Sequence, residues 1–539
     1  MKQERLYWIG PRESDIQDCK ELFIGSITTF GSNRNGNIAM RHDALDASRI
    51  NINTMKSNDF VWEKIDDVCS SDPQIKFIFY NGNDFSSIGW LRKYRDRFLC
   101  LNDSILMRNL CNKIFFHDNI KNALDGQATF LETHIGNRDD CDYNYVCRKF
   151  GYDFVKARQE KIRFIFQAPV ASGGNGTFVL DWENGEEIKK EFIDTNCLFS
   201  VYHEKNVSVN IHAIIFESEI LLTHGSVQLI SEDASRLIYH GADFISYNKI
   251  DELLKKQFKS AARCVARVIQ KMGYRGICGI DAIIYDGAVQ LIEINNRFQG
   301  SSYLINKALN KHGLRTLQEI NIDSFYGKNP LKNDYLIQMI DVPFSNYSYL
   351  YNDQAIHANH VLSLWQKEKD IDSIQLDGYH HTKTLHEQLA YLYRVTFSKN
   401  ISCMHKDGTI RIHENICEPL KLIKDEIIAK NPLYLEVALL TQGIILSEKA
   451  LKYFEEIYEF CHNINCALDI RFSGGNISGL NSFLAVNIPR EIKFVSLSPF
   501  HIELCCDASD EKQEYMFELY YYDVFLDKIK LYPHIILYK

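Results

Sequence analysis

The sequence predicts α/β and α+β architecture over about three domains, the number that 539 residues make at ordinary domain sizes. Two further observations carry that class. Short apolar runs closed by glycine alternate with helical patterns near the start, as in an open α/β sheet. Towards the end, apolar strand patterns flank one helical pattern. With only ten prolines there is no obvious linker, so pattern changes set the boundaries: an N-terminal α/β domain over 1–112, a central domain over 113–325 and a C-terminal α+β domain over 326–539.

In the first domain, Leu6–Gly10 and Phe23–Gly25 look like strands running into glycine turns, and Phe77–Tyr80 is closed by Asn81-Gly82-Asn83. A turn at Gly25 could cradle a phosphate, although a lone glycine after a strand serves equally as a plain turn. In the last domain, Tyr434–Leu440, Asp469–Phe472 and Phe483–Ile488 read as strands around Gly474-Gly475. Ser447–Phe460 reads as a helix, with Ser447 as N-cap and Ala450, Leu451, Phe454, Ile457 and Tyr458 at helical spacing. The task of this region is not legible; Arg471 and Arg490 are too thin a basis for peptide recognition.

Composition narrows the function classes. The chain is 45% hydrophobic and 24% charged, which suits a soluble globular protein with a sizeable core. A net charge of −9 argues against bulk nucleic-acid binding. Fifteen cysteines form no CxxC and no paired array, so they read as small core residues and not as a zinc site. Met1–Gly10 is charged and unlike a secretory signal, and no apolar run approaches the roughly 18 residues of a membrane span. A reducing cytoplasmic setting is expected.

The strongest chemical signal is the run Gly279–Arg297. Two β-rich segments flank Asp286-Gly287, a hairpin turn pair. Along the second segment Leu291, Glu293 and Asn295 share a face, because strand side chains alternate. Whether Asp281 joins them depends on register. A strict two-residue turn pairs Asp281 with Ile292 and turns Glu293 away; an odd loop or a bulge pairs Asp281 with Glu293. The second arrangement is expected, eased by Gly287. Three oxygen-bearing side chains on one face suit a hard cation such as magnesium, completed by water and phosphate oxygens. A solvated polar face of an edge hairpin would show the same alternation. Arg297, two residues past Asn295, adds a rigid fork of donors for phosphate or an oxyanion.

Met272–Asp281 (Met-Gly-Tyr-Arg-Gly-Ile-Cys-Gly-Ile-Asp), followed by Glu293-Ile294-Asn295-Asn296-Arg297, resembles the end of an ATP-grasp domain. That family shows Gly-Tyr-x-Gly leading to Asp, then Glu-x-Asn-Pro-Arg after a hairpin. The resemblance implies that Asp281, Glu293 and Asn295 bind magnesium and that Arg297 holds the reacting phosphoryl or carboxylate. It also implies a pre-ATP-grasp domain at 1–112 and a two-subdomain ATP-grasp fold at 113–325. Asn296 stands where the family has proline, which alters a backbone restraint and not a ligand.

Upstream, Ile162–Gln167 forms a strand, Ala168–Thr177 a glycine-rich loop, and Phe178–Leu180 the next strand. Gly173, Gly174 and Gly176 let backbone N–H groups turn towards an anion, and Ser172 and Thr177 add hydroxyls. No Gly-Lys-Ser/Thr opens a helix, so this is not a Walker loop. By resemblance, Ser172 through Asn175 to Thr177 fold over ATP phosphates. The family commonly has a lysine before this loop. Here Gln167 stands there, as in the pheganomycin-type peptide ligases, with Arg163 four residues earlier. Lys113 and Lys121 are candidates for the other nucleotide lysine, and Lys113 is preferred. The resemblance also places backbone at Ser200–Tyr202 against adenine, where a free strand edge could pair with the purine. His224 reads as a general base or, more simply, as a structural histidine. Asp251–Met272 carries Leu254, Phe258, Ala261, Ala262, Val265 and Ile269 in a helical stripe that serves the core.

The function these readings imply is an ADP-forming, ATP- and Mg2+-dependent ligase that joins a carboxylate to an amine through an acyl phosphate. Other ATP-grasp phosphotransfer and a catalytically silent nucleotide-binding scaffold are the alternatives. The expected partners are ATP and small-molecule or peptide substrates, with no nucleic acid and no membrane; a homodimer is compatible with the sequence. The identity of the carboxylate and the amine is not legible.

Overall fold

The computed structural model describes residues 5–30, 38–39, 64–82, 94–171, 176–192, 195–233, 235–350, 370–376, 391–404, 410–412 and six strands between 433 and 538. The expected helix at Ser447–Phe460, the strand at Phe483–Ile488, Gly474-Gly475 and Arg490 lie outside these residues. Internal contacts divide the chain into two compact units: Met1–Tyr349 with Asp370–His380 and Tyr393–His413, and Leu350–Lys369 with His381–Leu392 and Glu414–Lys539.

The first unit opens with a parallel sheet of β1 (Arg5–Arg12), β2 (Phe23–Phe30), β3 (Ile38–Ala39) and β4 (Ile75–Phe79), in the order β3-β2-β1-β4. Its apolar runs bury both faces, as parallel sheets require. Tyr7, Ile9, Phe77 and Phe79 face one core. Leu6, Trp8 and Ile78 face another, shared with residues that follow the central sheet. Gly25 is not a turn. It sits inside β2, paired with Tyr7 beside a register shift, and the strand runs on for five more residues to Phe30. The phosphate cradle considered there therefore has no loop to form it.

Helix α1 (Ser104–Cys111) follows, capped by Asp103, whose side chain accepts from Ile105 and Leu106 N–H. Next come β5 (Thr133–Asn137), β6 (Phe164–Gln167), β7 (Thr177–Leu180), β8 (Asn196–Val201), β9 (Val207–Ile215), β10 (Ile220–Leu222), β11 (Ser226–Asp233) and β12 (Arg236–Asp243). Helix α2 (Glu252–Lys271), β13 (Gly276–Tyr285), β14 (Ala288–Asn295), α3 (Ser302–Lys311) and α4 (Leu317–Phe325) complete the run. The strands form one sheet in the order β14-β13-β9-β11-β12-β7-β6-β8-β5. Two halves are visible in it. β12 meets β7 at one register pair, Arg236 with Phe178, whereas β13 and β9 share nine. β15 (Ser345–Leu350), β16 (Ile371–Leu376) and β17 (Tyr391–Phe397) extend the sheet from β12.

Helix α2 fits its predicted stripe. Asp251 caps it by accepting from Leu253 and Leu254 N–H, and Phe258, Ala261, Ala262, Val265 and Ile269 are buried. They pack on Ile211, Ala213, Cys278, Ile280 and Leu291 of the sheet. Gly273, at φ +95, ends the helix and turns the chain into β13. Among the described residues no helix is long and apolar enough to cross a membrane.

In the second unit, Leu433–Leu439, Cys466–Phe472 and Phe500–Ile502 form a parallel sheet, and Asp507–Ala508, Glu514–Tyr522 and Lys528–Tyr538 an antiparallel one. The strands expected at Tyr434–Leu440 and Asp469–Phe472 are the first two of these.

Asp243, fully buried at the end of β12, ties the first unit's late segments to its sheet. Its carboxylate accepts from Ser246 N–H at 2.8 Å, Ile401 and Ser402 N–H at 2.9 Å each, and the Ser402 hydroxyl at 2.8 Å. Removing it strands several buried donors. Asp243→Ala should lower stability by about 3 kcal/mol, measured as a drop in the urea midpoint at unchanged slope.

Candidate active site

The site forms on the hairpin of β13 and β14. The turn is strictly two-residue: Tyr285 pairs with Ala288, and Asp286 and Gly287 both have positive φ, +49 and +71. This is the twist-matched hairpin turn that Asp-Gly favours. Asp281 nevertheless pairs with Glu293, because the register shifts between Asp281 and Ala282. Ala282 pairs with Leu291, so Ile292 is an extra residue, a β-bulge. The shift is thus made within the strand and not at Gly287. Burial shows the same change of parity: Val289, Leu291 and Ile294 are buried in the core, and Glu293 and Asn295 face the other way.

Asp281 is the most enclosed of the acids. Asn210 of β9 donates Nδ2 to its Oδ1, and Gln228 of β11 donates Nε2 to its Oδ2 at 3.3 Å. Asn295 Nδ2 donates to Asp281 Oδ2 at 3.0 Å and to Glu293 Oε1 at 3.2 Å. Burial raises the Asp281 carboxyl above the usual carboxylate range, and the Glu293 charge opposite raises it further. Arg297 closes the row: its Nη2 donates to Asn295 Oδ1 at 3.2 Å and its Nη1 to the Tyr80 hydroxyl at 3.4 Å.

Lys113 reaches the same place. Its ammonium lies 3.1 Å from Glu293 Oε2 and donates to the Ala171 carbonyl at 3.0 Å, where the glycine-rich loop begins. Lys121 is exposed and makes no such approach. A short helix starting at Lys113 sets this up, with Asn112 capping Ile114 N–H and Lys113 N–H held by the Pro169 carbonyl at 2.8 Å. Asn296, the departure from proline, donates Nδ2 to the Met107 carbonyl at 3.0 Å and so moors the site to α1.

Ser172, Gly173, Gly174 and Asn175 lie outside the described residues. At the base of their loop, Gln167 Nε2 donates to Thr177 Oγ1 at 3.2 Å, and Gly176 has φ +67. Arg163 does not replace the missing lysine. It donates to Glu232 Oε1 at 2.7 Å and to Glu204, and stacks on Tyr202 with 4.8 Å to the ring centre. Ser200 is not on a free edge: β8 runs between β5 and β6, and Ser200 pairs with Thr133 and Ile165. The chain leaves the sheet just beyond, where Tyr202 N–H is held by the Arg163 carbonyl at 2.9 Å. Both ring nitrogens of His224 are engaged, at 2.8 Å each, with the Gly225 carbonyl and Asn248 Oδ1, and burial lowers its pKa. It is built in as a structural histidine. Asn210, Gln228 and Tyr80 were not singled out from sequence; the only signal for the first two is a polar residue within an apolar strand.

The donor set fits a hard divalent cation. Two facing carboxylates and a carboxamide are all-oxygen ligands, and the side chains that donate to Asp281 are neutral amides. Among the described residues no three His, Cys, Asp or Glu side chains converge, so a cation would rest on Asp281, Glu293 and the Asn295 carboxamide together.

Comparison with known proteins bears on the fold that carries this site. Residues 151–301 match the family model of the ATP-grasp domain, so the chain carries an ATP-grasp domain. An L-glutamate ligase that acts on the butirosin acyl-carrier protein in Niallia circulans is 24% identical over 148 residues, which are 26% of this chain and 34% of that one. The chain thus spans about a third of the length of this curated relative. Two structures of the carboxyaminoimidazole ribonucleotide synthase of Aspergillus clavatus superimpose with a TM-score of 0.51 each, one with ATP and one with ADP and aminoimidazole ribonucleotide. Each covers 79% of this chain and 100% of its own, at 12% and 11% identity, a likeness of fold.

The Lys113–Glu293 pair gives a direct test. Lys113→Met should destabilise the nucleotide-free protein by about 2 kcal/mol in chemical denaturation, whereas Lys121→Met should leave the midpoint in place.

Proposed function

We propose that this protein is an ATP-dependent, ADP-forming ligase that joins a carboxylate to an amine through an acyl phosphate. One observation carries the reading: Asp281, Glu293, Asn295, Arg297 and Lys113 meet on a single face beside the base of the glycine-rich loop. The ATP-grasp match and the ligase relative support it.

In this mechanism a carboxylate oxygen attacks the γ-phosphorus of ATP, the bond to the β,γ-bridging oxygen breaks, and ADP leaves. The amine then attacks the acyl carbon, inorganic phosphate leaves, and the nitrogen loses a proton. Lys113 lies where it can bind nucleotide phosphate oxygens. Arg297, with its planar fork of donors held at Asn295 and Tyr80, would meet the charge that spreads over the moving phosphoryl. Asp281, Glu293 and Asn295 would hold magnesium, which supplies neutralisation of phosphate charge when bound. Gly176, Thr177 and residues 172–175 before them would cover the phosphates and keep water from the acyl phosphate. Tyr202 and the backbone beyond Ser200 would border the adenine. The substrates are small carboxylates and amines or peptides, and the setting is cytoplasmic.

Gln167 favours a second reading, a nucleotide-binding scaffold without turnover. The family's usual charge is absent there, and Arg163 is committed elsewhere.

The deciding measurement is ADP release from the full chain with mixed amino acids and peptides, with condensed products sought by mass spectrometry. Release that needs both a carboxylate and an amine is the expected result; ATP binding without release across the screen would leave the scaffold. Glu293→Ala should reduce turnover by about a thousandfold or more, and chelation of divalent cations should abolish it reversibly.

A further inference from the structure

The loop that carries Arg297 leaves β14 and enters α3 within a few residues, and it is moored at both ends. At the front, Phe298 N–H donates to the Tyr80 carbonyl at 3.1 Å, and its ring packs edge-on against Trp8 with centres 5.4 Å apart. At the rear, Gln299 and Ser302 close a turn: Gln299 N–H donates to Ser302 Oγ at 2.9 Å, and Ser302 N–H to the Gln299 carbonyl at 3.0 Å. The same Ser302 hydroxyl lies 3.0 Å from Nε2 of His212 on β9.

His212 is fully buried and pairs in register with Gly279 of β13, which pairs in turn with Asn295. The missing side chain at Gly279 leaves the space that the Gln299 carboxamide fills; a Cβ there would stand 1.2 Å from Gln299 Nε2. The turn behind Arg297 is therefore seated on two residues of the central strands, one with no side chain and one with an imidazole. Among the described residues, neither His212 Nδ1 nor Gln299 Nε2 has a hydrogen-bond partner. A buried imidazole satisfied at one nitrogen is a costly filler where an apolar side chain would pack. Burial lowers its pKa to about 3, so at neutral pH the ring supplies a hydrogen bond and no charge.

We propose that His212 is a positioning residue for Arg297: through Ser302 Oγ it seats the Gln299–Ser302 turn on β9 and so keeps the guanidinium at Asn295. The kinetic part of this proposal rests on the ligase reading; the structural part does not.

The test uses the full chain with His212→Leu, His212→Gln and Ser302→Ala. Hydrogen–deuterium exchange should speed by about tenfold over 296–302 in His212→Leu and in Ser302→Ala, with the rest of the unit unchanged. A glutamine end offers a donor or an acceptor near the Nε2 position, so His212→Gln should restore protection. In ADP release, His212→Leu should lower kcat by about 10- to 100-fold at a KM for ATP within about twofold. Placed in an Arg297→Ala background, it should have no further effect. Unchanged exchange over 296–302, loosening spread evenly through the unit, or additive kinetic losses would each overturn the proposal. Should His212→Leu fail to fold, Ser302→Ala breaks the same bond from the loop side. A chain without turnover would defeat the ligase reading and leave exchange to decide the positioning role.

Discussion

One extra residue in one strand sets the geometry of the candidate site. Without Ile292 as a bulge, Glu293 would face the apolar core and Asp281 would stand without a second acid. With it, two carboxylates oppose each other on a largely enclosed face. That arrangement is unfavourable by itself, since burial and mutual repulsion both oppose the charged forms. The surroundings answer it with neutral amides and positive charge: Asn210, Gln228 and Asn295 donate to the acids, Lys113 pairs with Glu293, and Arg297 holds the far side of Asn295. The sheet supplies the rigid frame, and a short helix and the loop after β14 supply the cations.

Much of this was legible in the sequence, and the part that was not has physical reasons. Alternation placed Glu293 and Asn295 on one face, and the need for Asp281 to join them demanded an odd residue somewhere. Its location was hidden. Asp286-Gly287 makes a regular turn, and the bulge sits where distant segments hold it. Leu291 exchanges backbone hydrogen bonds with Thr129 and Leu131, at 2.9 Å each, and His117 hydrogen-bonds the backbone of Ile292. Those partners lie more than 150 residues away and carry no local pattern. Gly25 failed for the opposite reason: a glycine after an apolar run looks the same whether the strand stops or continues. The free edge expected at Ser200 is absent because an edge is a property of strand order, which a single strand does not encode.

The end of the site beside the glycine-rich loop has an unusual balance of charge. Arg163, four residues before Gln167, is the nearby cation that could have replaced a lysine, yet Glu204 and Glu232 hold it against Tyr202. Gln167 spends its amide on Thr177. Among the described residues, positive charge at the site therefore comes from Lys113, paired with Glu293, and from Arg297, bonded to Asn295, and both lie outside the strand pair that borders the loop. No local pattern in the sequence separates Lys113 from Lys121 in this respect. The difference follows from a turn of short helix at Asn112, which points one lysine inward and leaves the other in solvent.

The first sheet contributes more than a neighbouring domain would. Trp8 and Tyr80 pack on Phe298, and the Tyr80 hydroxyl touches Arg297 itself. The matched family segment, 151–301, ends inside this junction and begins well after the first sheet. A gene fragment cut to the boundaries of that match would code for the hairpin and its acids while discarding the wall against which the arginine rests. The smallest piece able to keep this geometry is accordingly larger than the piece by which its ancestry is recognised.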